Sequence, residues 1–206
     1  MELTSPSFSD GASIPPAYCL GAYDPDSHVT FAADRNPALE WTGVPEGTRS
    51  LAITCVDPDA PSVADDANKE DRQIPADFPR ADFTHWALVD LDPATRSIDE
   101  AEYSDGVTPR GKPGSRANPR EGVNDYTGWF AGDPDMEGTY RGYDGPCPPW
   151  NDTIIHHYVF TVYALDVDHL DVDEDFSAGD LITAAHGHVL DSASITGVYT
   201  LNPDLF

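Results

Sequence analysis

A mainly β fold is what this chain predicts. Short apolar runs of strand length recur along its 206 residues, 19 prolines and 16 glycines punctuate them, and one stretch carries a helical stripe. No apolar run reaches the roughly 18 residues of a membrane-spanning helix. The length suits one domain, 1–206, and neither an internal repeat nor a linker divides it.

In chain order the predicted strands are HVTFAA (28–33), ALEWTG (38–43), RSLAITCVD (49–57), THWALVDLD (84–92), HHYVFTVYALD (156–166) and SASITGVYTL (192–201). Between the second and third, GVPEGT supplies Gly and Pro for a turn. The run at 156–165 is apolar on both faces, with His156, Tyr158, Phe160 and Val162 on one and Val159, Tyr163 and Leu165 on the other. Such a strand belongs in the middle of a sheet. The predicted helix lies near 177–190. Ser177 is its N-cap, Asp180 completes the cap, and Leu181, Ala184, Ala185 and Val189 form the apolar stripe. Two segments resist assignment: an acidic stretch at 62–82, read as an insertion loop, and a Gly/Pro-rich loop at 104–127. Loops of this length in a compact domain are usually lids or functional insertions.

Asp and Glu total 37 against 11 Lys and Arg, a formal charge of −26. The aromatic content and the apolar strands argue against disorder. A basic partner and adaptation to molar intracellular salt both fit. The second is favoured, because the acids are spread along the chain and only Lys69 and Lys112 are lysines. No basic stripe exists to release counterions, so nucleic acid is not an expected partner. The start, MELTSPSFSDG, has no basic n-region or apolar h-region, and a cytoplasmic location is expected. Cys19, Cys55 and Cys147 form no C-x-x-C pair and read as reduced thiols.

The stretch DPDAPS alternates Asp57 and Asp59 with Pro58 and stiffens the exit with Pro61. Alone it reads as an acidic turn in an acid-rich chain, and His85, at the start of a strand, as a packed hydrogen-bonded residue. The fragment GPCPPWNDTIIHHY then places a Pro-rich turn ahead of His156, His157 and Tyr158. His156 and Tyr158 share one strand face, and His157 points the other way.

With these fragments in view, the chain resembles the phosphatidylethanolamine-binding protein family, which includes the Raf kinase inhibitor proteins, in its bacterial and archaeal branch. The stretches DGASIPPAYC, NPALEWTGVPEGTRSLAITCVDPDAP, THWALVDL, YDGPCPPWNDTIIHHYVFTVYALD and AAHGHVLDSASITGVYT carry the resemblance, in order, over nearly the whole chain. The family commonly has His-Arg-Tyr where this chain has His156-His157-Tyr158, and the acidic segment 62–82 is longer than in compact prokaryotic members. The resemblance implies a β-sandwich of two antiparallel sheets with peripheral helices and a small anion pocket near one end. It implies that Asp57, Asp59, His85, Pro146, Pro148, Pro149, His156 and Tyr158 form that pocket, and that the chain self-associates, to which the apolar ending NPDLF would add.

Two carboxylates beside two histidines suit anion binding if the acids accept from the imidazoles and hold them as donors. Neighbouring carboxylates would raise both histidine pKa values. The expected function is non-enzymatic binding of a small phosphorylated or carboxylated anion, with a protein partner regulated in turn and no cofactor. The alternative is a hydrolase using the same Asp/His cluster around a divalent metal. It lacks an H-E-x-x-H or comparable ligand helix.

Overall fold

The computed structural model describes residues 1–206. Ten strands and two α-helices follow one another: β1 (Glu2–Thr4), β2 (Gly21–Asp24), β3 (His28–Phe31), β4 (Leu39–Thr42), β5 (Ser50–Pro61), β6 (Arg80–Leu91), β7 (Ser97–Ile98), β8 (Arg120–Glu121), α1 (Tyr126–Trp129), β9 (His156–Leu165), α2 (Ala178–Ala185) and β10 (Val189–Tyr199). The fold is mainly β. A five-stranded antiparallel sheet has the order β10-β9-β5-β6-β8, a three-stranded sheet the order β1-β4-β7, and β2 and β3 make a separate ribbon.

Alternation along β5 explains the layering. Leu51, Ile53 and Cys55 face a core shared with Leu3, Leu39, Trp41 and Ile98 of the small sheet, which makes the sandwich. Ala52 faces the other way, into a second cluster with Leu181 and Ala185 of α2. Buried on both faces, β5 and β9 read as nearly continuous apolar runs. β9 lies between β10 and β5, in the interior position its two-faced pattern predicts. No helix is long and apolar enough to cross a membrane.

Several boundaries differ from the sequence reading; β10, for one, begins at Val189 rather than Ser192. The strand entering DPDAPS does not end at Asp57; it continues to Pro61, with a register shift between Asp57 and Ala60. Pro58 lacks an N–H for the ladder, and the chain answers with a bulge rather than a stop. β6 begins at Arg80, so the acidic loop is shorter than 62–82 at its far end. Within 104–127, the segment 120–121 pairs with β6 as β8, and α1 starts at Tyr126. The helix near 177–190 stops at Ala185, because Gly187 adopts a φ of 88° and breaks the turn. Val189, counted in its apolar stripe, is an exposed residue of β10. The cap itself forms as read: Ser177 accepts from the Asp180 N–H while the Asp180 carboxylate accepts from the Ser177 N–H. The short strands β1, β2, β7 and β8 carry too few residues for their periodicity to register.

Candidate functional site

At one end of the large sheet, β5, β6 and β9 deliver four side chains to a single place. Pairing of Val56 with Val159 sets Asp57 beside the start of β9. Asp57 is buried, and one of its oxygens accepts from the Asp59 backbone N–H at 2.8 Å, an Asx turn that the bulge creates. Its other oxygen accepts from His156 Nδ1 at 2.7 Å. The far ring nitrogen of His156, Nε2, donates to Asp152 at 3.2 Å. Arg80 then closes on Asp152 with two hydrogen bonds, at 2.5 and 3.0 Å. The result is a buried chain of alternating charge, Asp57–His156–Asp152–Arg80, whose two negative and two positive groups cancel.

His156 is the pivot of that chain. Burial alone would push its pKa down, but the hydrogen bonds and charges of Asp152 and Asp57 outweigh it and lift it to about 9. The ring holds both protons at neutral pH and both are engaged within the protein. Asp152 is held below the usual carboxylate range: burial raises it, and His156 and Arg80 together lower it further.

His85 behaves in the opposite way. Its Nδ1 lies 2.8 Å from the Asp144 carbonyl oxygen. A carbonyl only accepts, so Nδ1 carries the proton and Nε2 the lone pair. Burial lowers the pKa of His85 and prevails over the carboxylates of Asp57, Asp125 and Asp144. The expectation of two raised histidines is therefore half wrong. Complete burial with no direct carboxylate contact keeps His85 neutral, whereas two direct contacts keep His156 charged.

Tyr158 packs edge-on to His85 with ring centroids 5.1 Å apart, and its hydroxyl is buried without a hydrogen-bond partner. Burial raises its pKa well above 10, so it stays a donor. These groups open into a cavity of about 150 Å³. Phe83, Tyr126 and Trp129 form one wall and Cys147, Pro148 and Pro149 another, while Val63 and Ala64 of the acidic loop make the rim.

Of the eight residues named from the sequence, Asp57, His85, Pro148, Pro149, His156 and Tyr158 converge on this cavity. Asp59 and Pro146 do not. The bulge turns the Asp59 carboxylate outward, where it accepts from the His157 ring at 2.7 Å and from the His157 backbone at 2.9 Å. His157, standing where the family commonly has arginine, is thus the partner of the neighbouring acidic turn. Pro146 is buried behind the wall and its carbonyl accepts from the Gly21 N–H at 3.1 Å. Phe83, Tyr126, Trp129, Cys147 and the 60–64 segment were not singled out. Phe83 lies just ahead of the run read as a strand, and Tyr126 and Trp129 bound a single helical turn too short for periodicity to mark them, although Cys147 sits inside the GPCPP motif itself.

Both long loops serve the site. Asn151 donates to the carbonyls of Asp66, Lys69 and Arg72, and its side-chain oxygen accepts from the Asn68 N–H, so one amide ties the acidic loop to the segment after GPCPP. From the Gly/Pro-rich loop, Lys112 reaches Asp144 at 3.0 Å and Asn124 reaches it at 2.6 Å. Those contacts hold the residue whose carbonyl sets the His85 tautomer. Gly145 follows: a Cβ there would lie 2.1 Å from the Tyr18 carbonyl oxygen, so only glycine lets the wall approach this closely. Nowhere do three or more His, Cys, Asp or Glu side chains stand so as to hold a metal ion. In the cluster that suggested one, both His156 ring nitrogens carry protons and donate them to Asp57 and Asp152, and Asp59 points away.

A two-sheet β-sandwich with a small polar-floored pocket at one end of its large sheet is the frame of a binding protein. The chain belongs to the phosphatidylethanolamine-binding protein family, whose model matches residues 4–200. It is 32% identical over 200 residues to the UPF0098 protein of Methanothermobacter thermautotrophicus, covering 97% of this chain and 98% of that one. It is 32% identical over 202 residues to the UPF0098 protein YbhB of Escherichia coli, covering 97% and 100%. Among solved structures, a phosphatidylethanolamine-binding protein homologue from Chlamydia trachomatis superposes with a TM-score of 0.60 at 27% identity, covering 96% of this chain and 95% of that one. Escherichia coli YbcL, described as a member of the mammalian family, shares the fold with a TM-score of 0.66 at 24% identity over 97% of each chain.

Proposed function

We propose that the pocket binds a small phosphorylated or carboxylated anion and does not transform it. The observation that carries this reading is a cavity of about 150 Å³ in which Asp57, His85, His156, Pro148 and Pro149, the residues the family's motifs point to, come together. The charge-cancelled floor supports the same conclusion, since Asp57 is neutralised by His156 and does not repel an incoming anion. No activated nucleophile stands in the cavity. The thiol of Cys147 is pushed up to about 12 by burial, the His156 ring has no free nitrogen, and the one free ring nitrogen, His85 Nε2, is backed across its ring by a backbone carbonyl rather than a carboxylate.

Calorimetric titration of phosphoethanolamine tests the reading. His85→Ala is expected to weaken binding about tenfold or more, the worth of one hydrogen bond to a charged ligand. His157→Ala, on the outer face, is expected to leave it unchanged. A larger loss from His157→Ala than from His85→Ala would remove the pocket from consideration.

A further inference from the structure

We infer that Asp34 and Asp144, two buried acids far apart in the chain, hold one proton between them at neutral pH, and that this acid–carboxylate pair is a latch on the Gly/Pro-rich loop that releases as the pH rises.

Asp34 lies in the loop after β3 and is fully buried. Its Oδ1 accepts from the Gly145 N–H at 2.8 Å, while its Oδ2 is buried and meets no donor in the protein. An ionised oxygen in that position is costly. The side chain instead meets a second acid, Asp144, within hydrogen-bond reach. Asp144 is also buried, and both its oxygens are supplied with donors: Lys112 Nζ at 3.0 Å on Oδ1 and Asn124 Nδ2 at 2.6 Å on Oδ2. Those donors hold Asp144 as the carboxylate, so the proton sits on Asp34, where an O–H turns the orphaned acceptor into a donor toward Asp144. The pair then carries one negative charge, and Lys112 cancels it. Without the proton, two buried carboxylates would share one ammonium.

The surroundings offer no second cation. Burial pushes Asp34 well above the usual carboxylate range and the Asp144 charge adds to that, against Lys112 and the Gly145 N–H. Cys19, Cys147, Tyr126 and Tyr143 feel the Asp34 charge, and burial keeps all four neutral. Glu121 of β8 lies near Lys112 and Asp144 and competes for the same ammonium. Arg35, next in the chain, is turned outward to Asp105 and Glu100.

Three segments meet at the pair. Gly145 ties Asp34 to the Pro-rich wall, and Ser104 donates to the Asp34 carbonyl at 2.7 Å. Lys112 bonds Ser104 at 3.2 Å and the Tyr143 carbonyl as well as Asp144. The loop at 104–127 is thus fastened through Ser104 and Lys112 near one end and Asn124 near the other. Loss of the proton sets Asp34 against Asp144 and makes them compete for Lys112. The folded chain binds this proton more tightly than the unfolded one, where Asp34 titrates near 3.8. The stabilisation is therefore fully present below about that pH and is lost as the pH rises through the folded value.

Urea unfolding of the unaltered chain and of Asp34→Asn is compared at pH 5 and pH 7, at one fixed KCl concentration. Asparagine keeps an oxygen for the Gly145 N–H and donates to Asp144 without titrating, while His156 and the other groups titrate in both chains and cancel. Relative to the variant, the unaltered chain is expected to lose about a hundredfold in its folding equilibrium constant, tenfold for each pH unit over which only the folded state keeps the proton. Trypsin is expected to cut the unaltered chain increasingly faster than the variant at Arg110, Lys112 and Arg116 as the pH is raised from 7 to 10. Should Asp34→Asn fail to fold, infrared spectroscopy of the unaltered chain labelled with carbon-13 aspartate decides, because one aspartyl carboxyl should remain protonated at pH 7. No protonated aspartyl at pH 7, or a variant whose stability follows that of the unaltered chain from pH 5 to pH 7, overturns the shared proton. Equal cleavage of the two chains up to pH 10 overturns the latch. None of these measurements needs a ligand, so their outcome is independent of the anion-binding reading.

Discussion

Raising the pH should remove about 3 kcal/mol of stability through His156 alone. Its pKa stands at about 9 in the folded chain against an ordinary value of 6.5. At about 1.4 kcal/mol for each tenfold in proton affinity, that gap corresponds to about 3 kcal/mol. The sign follows from the folded value lying above the unfolded one. The native state binds the proton more tightly, so the stabilisation is fully present below about pH 6.5 and is lost as the pH rises through about 9. Urea unfolding at pH 6 and pH 9.5, at constant KCl, measures the loss. The same pair of measurements on His156→Gln subtracts the thiols and phenols that begin to ionise in the unfolded chain over the same window. The unaltered protein should lose about 3 kcal/mol more than the variant between the two pH values. Nitrogen-15 NMR gives an independent view, since both ring N–H groups of His156 should persist at pH 8. Equal losses in the two proteins, or a ring that titrates near 6.5, would refute the alternating chain Asp57–His156–Asp152–Arg80.

Asp57→Asn should lower the pKa of His156 and weaken phosphoethanolamine binding, although it removes a negative charge beside the ligand; tighter binding in calorimetry would mean that the carboxylate acts only by repulsion. Asn151→Ala releases the amide that gathers three carbonyls of the acidic loop. It should cost about 2 kcal/mol and expose Lys69 and Arg72 to trypsin, and unchanged cleavage would show that the loop is held otherwise. With 37 acids against 11 bases, the chain should melt at a higher temperature in 3 M than in 0.1 M KCl. A melting temperature independent of salt would remove self-repulsion, and with it the high-salt reading of the composition.

Much of the fold was legible because its signals are local. The two-faced apolar run at 156–165 announced an interior strand, and β9 is one. Ser177 and Asp180 announced a helix start, and the capping box forms within four residues of chain. The helix end was misplaced because Leu181, Ala184, Ala185 and Val189 keep a helical spacing straight through Gly187, and spacing alone does not weigh one glycine against the pull of a strand beside β9.

At the site, residue types and motif order brought six of the named side chains to one cavity, and tertiary structure decided what each does there. Alternation would place Asp57 and Asp59 on the same face, yet the bulge between Asp57 and Ala60 sends one inward to His156 and the other outward to His157. His85 and His156 look equivalent as letters. One meets a backbone carbonyl in a fully buried setting and stays neutral, while the other meets two carboxylates and stays charged. Sequence supplied the titratable groups, but protonation depends on burial and on what each nitrogen touches, and those quantities exist only once strands distant in the chain have been packed together.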